Sequence, residues 1–139
     1  MESSIFNRLY ERHKMYGFNV PAVDIDHLVV EYYYGVPVAL IEYKNVNAYR
    51  YSIIHPSFKA IKYLADAAMI SFFLIRYNDF DFDRWQVTAI NTIAKARLRK
   101  ISNKTEIILN EEKFVRFLYW LRGIKAPDDL FIDGWNTPI

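Results

Sequence analysis

Apolar positions along the chain follow two periodicities, which divide it into helices and strands. Residues 4–16 carry Ile5, Phe6, Leu9 and His13 at helical spacing, with Ser4 placed to cap the first turn and Gly17 to stop the last. Glu11 and Arg12 fall on other faces of that helix. Residues 22–34 and 36–44 read as two strands. The first is β-branched and partly alternating from Ala22 to Val30. The second contains the unbroken apolar run Val38-Ala39-Leu40-Ile41, which suits a strand buried on both faces. Tyr34-Gly35-Val36-Pro37 is a turn signal, so the two strands predict a hairpin that ends in Glu42-Tyr43-Lys44.

Pro56 suits a first helical turn, and Phe58, Ile61, Leu64, Ala65 and Ala68 then recur at helical spacing. Ile70–Ile75 is again a strand of buried type, and Trp85–Ile90 alternates like a half-exposed strand after a turn at Asn78–Asp83. Thr92–Ile101 reads as a helix, and Asn110 is placed to cap a last helix from Glu111 to Arg122, with Gly123 as its stop. Phe114, Phe117, Leu118 and Leu121 form the core stripe of that helix. The order α-β-β-α-β-β-α-α predicts one α/β domain with a mixed sheet flanked by helices. Its core covers 4–91, a helical addition covers 92–124, and 125–139 is a tail with two prolines and three aspartates.

Composition narrows the chemistry. With 139 residues and 53% hydrophobic content the chain can bury a core of its own. It has no cysteine, which excludes disulfides, thiolate zinc sites and cysteine nucleophiles. Its four glycines, at 17, 35, 123 and 134, are too scattered for a phosphate-cradling loop. The polar start predicts no signal peptide, and the longest apolar run, near Ala67–Ile75, falls short of a membrane span. A cytoplasmic protein without a membrane partner is expected. The 11 Tyr, 10 Phe and 3 Trp exceed what a small core needs, and the surplus suits a homodimer interface.

The net charge of +2 is a sum of unlike parts. Residues 1–44 are net −2, 95–125 are net +6, and the tail from 126 is net −3. One half is thus suited to a cation and one segment to a polyanion.

One constellation carries chemistry. Asp24-Ile25-Asp26 is followed, after fifteen intervening residues, by Glu42-Tyr43-Lys44. Side chains two apart on a strand share a face, so the acids and Lys44 meet at one sheet end if the strands pair. Mg²⁺ takes oxygen ligands from one or two carboxylates and leaves positions for water and phosphate. A structural ion-pair cluster is the other reading of the same residues. Other candidates are weaker. Glu111-Glu112-Lys113 repeats the acidic-x-Lys triplet at a helix start, where acids are favoured anyway. Asp79–Asp83 lacks the calcium-loop pattern, with Arg84 and Ile90 at the positions for Gly and the closing Glu, and reads as a solvated turn. His13, His27 and His55 have no zinc-like spacing, although His55 lies between the Glu-x-Lys strand and the next helix.

With its acid, Glu-x-Lys and following helix, the chain resembles the PD-(D/E)xK nuclease superfamily over residues 4–91. The resemblance implies a restriction-endonuclease-like αββαββ core and a small single-domain member of phage or prophage type. It implies Mg²⁺ or Mn²⁺ held by Asp26 and Glu42, with Asp24 and the backbone carbonyl of Tyr43 assisting, and Lys44 positioning the attacking water. Pro21 lies three residues before Asp24 rather than next to it, which leaves Asp24 beside Asp26 as a second candidate ligand. Glu11 matches the acid that the family's leading helix often supplies, and His55 is a possible auxiliary group. DNA is the implied partner. Lys59 and Lys62 are the implied contacts on the following helix, and Lys95, Arg97, Arg99 and Lys100 form a basic run suited to phosphates. A catalytically inactive DNA-binding or scaffold module of the same fold is the alternative function.

Overall fold

The computed structural model describes residues 8, 9, 11, 12, 14–16, 23–47 and 55–131. Strands β1 (His27–Glu31), β2 (Val36–Asn45), β3 (Ser71–Tyr77), β4 (Trp85–Ala89) and β5 (Glu106–Leu109) form one mixed sheet in that spatial order. Helix α1 (Pro56–Ala68) joins β2 to β3, which run parallel; all other neighbours are antiparallel. Helices α2 (Thr92–Ser102) and α3 (Glu111–Arg122) follow, and Tyr32–Tyr34 and Asp128–Phe131 are short 3-10 helices. The α/β class and the mixed sheet therefore agree with the hydrophobic pattern.

The alternation of side chains along β2 and β3 sorts the core into two layers. Leu40, Phe72 and Leu74 face Phe58, Ile61 and Ala65 of α1. Ala39, Ile41, Phe73 and Ile75 face the other way and pack with Ala94 and Leu98 of α2 and with Phe114, Phe117 and Leu121 of α3. Both sides of β3 are thus covered, which is why its first five residues are all buried. Trp85 stacks on Phe114 with ring centroids 4.1 Å apart and locks α3 to β4.

Local chemistry fixes the element ends. His55, Asn91 and Asn110 cap α1, α2 and α3, each accepting a backbone N–H near the start of its helix. Gly123 ends α3 at φ 88°, a conformation that glycine adopts without a Cβ penalty.

Three expectations are corrected. The first strand begins at His27, so Asp24 and Asp26 precede it, and Tyr32–Tyr34 form a 3-10 turn instead of strand. Gly35 follows at φ 62°. The short Glu106-Ile107-Ile108-Leu109 run between the last two helices is a strand, β5, although four residues carry too little alternation to predict one. Leu9, placed on the helix face of Ile5, is 65% exposed. Ser4, Ile5, Phe6, His13 and Gly17 lie outside the described residues. No described helix is long and apolar enough to cross a membrane.

Candidate active site

The antiparallel register pairs His27 with Ile41 and Leu28 with Leu40. Continued by one step, it sets Asp26 opposite Glu42. Asp26 is not in the ladder, but its side chain continues it: Oδ2 accepts the backbone N–H of Tyr43 at 2.9 Å. An N–H and the C=O of the same residue leave a strand from the same edge. The Tyr43 carbonyl therefore lies on the edge that the Asp26 carboxylate occupies.

Glu42 and Lys44 share the face of Leu40, the α1 side of the sheet. Lys44 Nζ lies 3.2 Å from Glu42 Oε1. The Glu42 side chain is only 13% exposed, and its other oxygen, Oε2, is buried and has no hydrogen-bond partner among the described residues. Burial raises the Glu42 carboxyl above its usual range, the neighbouring Asp26 charge raises it further, and Lys44 pulls it back in part. A raised acid with one orphaned oxygen is an electrostatically unfinished site. A buried polar atom without a partner costs free energy that a cation would recover.

The Tyr43 side chain lies on the other face of β2, against the Ile41 and Phe73 layer. Its ring meets His27 and Tyr77 edge-on, at 5.8 and 6.2 Å between centroids. Burial, with Asp26 adding to it, pushes its phenol up to about 12, so it stays neutral.

The chain matches no family model, no curated protein and no solved structure.

The remaining sequence candidates are placed as follows. Asp24 is exposed, two residues before Asp26. Glu11 pairs with Lys14 at 3.6 Å on its own helical segment. His55 caps α1, its Nδ1 accepting the Ser57 N–H at 3.1 Å. Lys59 is exposed on α1, and Lys62 binds Asp66 at 3.0 Å. The basic run of α2 is on the opposite side of the sheet from Glu42 and Lys44, because Ala94 and Leu98 dock on the Ile41 and Phe73 face. Arg99 and Lys100 are exposed there, and Lys95 is half-buried. Arg97 lies 4.9 Å over the Trp120 ring and donates to the Leu121 carbonyl at 3.3 Å.

Among the described residues no three His, Asp or Glu side chains gather into a metal cluster. The donor set at Asp26, Glu42 and the Tyr43 carbonyl is all hard oxygen, and Mg²⁺ needs only one or two protein carboxylates. The orphaned Glu42 Oε2 fits that requirement. The unpaired state of this oxygen was not legible from sequence, since it depends on how far β3 and α1 exclude water.

Proposed function

We propose that this protein is a metal-dependent DNA nuclease, endo- or exonucleolytic, with a PD-(D/E)xK-type site. The observation that carries the reading is the buried Glu42 Oε2 without a hydrogen-bond partner among the described residues, beside the Asp26 charge and next to Lys44. The strand that follows Asp26 runs antiparallel to the Glu-x-Lys strand, and α1 and the parallel β3 come next, which supports it as well.

In this reading Asp26, Glu42 and the Tyr43 carbonyl hold Mg²⁺ or Mn²⁺, with Asp24 within two residues to assist. An ion held there would lower the pKa of a bound water and offset charge on the phosphate. Asp26 does two jobs, since the hydrogen bond to Tyr43 also fixes the carbonyl edge. Lys44, about one-third exposed and tethered by Glu42, reaches toward solvent, where it orients the attacking water and offsets negative charge on the phosphodiester. The attacking water would lose a proton to solvent as its oxygen bonds to phosphorus, and the 3′ oxygen, as its bond to phosphorus breaks, would take one up.

The test is cleavage of supercoiled, linear, single-stranded and branched DNA in Mg²⁺ or Mn²⁺. Cleavage that disappears in Glu42→Gln and Lys44→Ala supports the roles; cleavage that persists in both overturns them. The Lys44–Glu42 pair and the Asp26–Tyr43 bond also suit a module that keeps the fold without catalysis. DNA binding without cleavage of any substrate selects that second reading.

A further inference from the structure

A second charged feature lies on the other side of the sheet. The end of α3 and the residues after Gly123 enclose, with α2, an open groove of about 620 Å³. Arg97, Lys100, Arg116 and Lys125 line it, and Trp120 and Ile124 supply its apolar wall. No carboxylate is among the lining residues.

Arg97 is the centre of the argument. Its guanidinium is half-buried, stacked over Trp120 and bonded to one backbone carbonyl, and among the described residues no carboxylate pairs with it. Burial lowers its pKa, as for a cation withdrawn from water without a counter-ion. Lys100 and Lys125 are exposed at the rim. Arg116 is steadied by Glu112 at 3.7 Å, one helical turn away. Four of the nine basic residues in the segment 95–125 line this groove.

Cations over an apolar wall are the recognition chemistry of single-stranded nucleic acid: phosphates pair with the charges, and bases lie against aromatic and aliphatic carbon. Arg97 on Trp120 extends that wall, since a stacked guanidinium is itself a flat surface. A recess of this volume takes a flexible strand better than the rigid backbone of a duplex.

We propose that the groove between α2 and the end of α3 binds a short single-stranded nucleic-acid segment, with Lys100 and Lys125 on its phosphates and Arg97, stacked on Trp120, together with Ile124 against a base. The site is separate from Asp26, Glu42 and Lys44 and does not depend on the cleavage reading.

The test is fluorescence anisotropy of the full chain with a labelled oligothymidylate of about twelve nucleotides, in chelator so that nothing is cut. The double variant Lys100→Gln/Lys125→Gln, both positions exposed, should keep the fold by circular dichroism. It should weaken binding about tenfold and flatten the logarithmic salt slope by about 1.4, as loss of two phosphate contacts requires. Arg97→Lys, which keeps the charge but loses the planar surface, should weaken binding with less change in slope. The control Lys104→Gln/Lys113→Gln removes equal charge outside the groove and should have little effect. Equal weakening by both double variants overturns the proposal, because net charge alone would explain binding. So does a mononucleotide that binds as tightly as the oligomer, or a duplex that binds more tightly than the single strand. The cleavage assay separates the two readings: absence of cleavage leaves the groove result standing, and cleavage without a groove effect overturns the groove alone.

Discussion

Asp26 Oδ2 accepts the backbone N–H of Tyr43 at 2.9 Å, just beyond the last ladder pair of β1 and β2. The carboxylate takes over from a strand that has not yet begun, and it aligns the middle residue of Glu42-Tyr43-Lys44. Structure and proposed chemistry meet in this contact, and substitution can separate them. Asp26→Asn keeps an acceptor oxygen for Tyr43 and should cost little stability. Asp26→Ala should cost about 1 kcal/mol, the usual net worth of one such bond. Both should abolish metal-dependent cleavage, since neither carries the negative charge. Urea unfolding and cleavage rates on the same preparations check the split.

Glu42→Gln removes a charge that is buried beside Asp26 and leaves Lys44 free to turn into solvent. The variant should therefore be more stable than the native chain without divalent ions, by a few degrees in thermal midpoint. Adding Mg²⁺ should raise the midpoint of the native protein and not that of the variant. A native chain whose midpoint ignores Mg²⁺ and Mn²⁺ would count against an ion at this site. Differential scanning fluorimetry suffices for the measurement.

Glu31 and Arg122 tie the hairpin to the end of α3, with Nε–Oε2 at 3.1 Å. The Arg122 hydrogen bond holds the Glu31 carboxyl below its ordinary value of 4.5, against a smaller opposing effect of burial. The folded-state value is the lower one, so the pair stabilises the fold above the ordinary carboxylate range. That contribution fades as pH falls through the lowered value. Arg122→Leu should raise the Glu31 titration midpoint in carboxyl-detected NMR. It should also reduce the stability difference between about pH 7 and about pH 3.

Asn91 is 1% exposed and uses its whole side chain. Its oxygen accepts from Phe72 and Ala94 backbone N–H groups, and its amide donates to the Ile70 carbonyl and to Asp66 Oδ1. It therefore caps α2 and also fastens the start of β3 to the end of α1. Asn91→Asp keeps the shape but loses both donations and sets a second carboxylate against Asp66. It should cost about 3–5 kcal/mol, a large part of the stability of a small domain. Asn91→Ala should cost about 2–4 kcal/mol. Chemical denaturation ranks the two, and an aspartate variant as stable as native would refute this account.

Much of the fold was legible because it is local or periodic. The bounds of α3 follow from Asn110, the Phe114–Leu121 stripe and Gly123, and the buried run of β3 could not sit at a surface. β5 escaped notice because Glu106–Leu109 becomes a strand only by pairing with β4, a partner twenty residues away. Asn91 was invisible for a related reason: three of its four hydrogen-bond partners lie 19, 21 and 25 residues earlier in the chain.

For the site, sequence alone determined which residues are available. Acids two apart, a Glu-x-Lys triplet at the end of an apolar run, and a basic segment from 95 to 125 are facts of the chain. The tertiary structure decided what each one faces. The hairpin register put Asp26 against Tyr43, and side-chain alternation along β2 put Glu42 and Lys44 on the α1 side. Docking of Ala94 and Leu98 turned the basic helix to the other side, so one run of charge and one run of acid became two separate surfaces. Burial then left Glu42 Oε2 without a partner among the described residues. The sequence could not show this, because the exclusion of water is a property of packed neighbours and not of the residue itself.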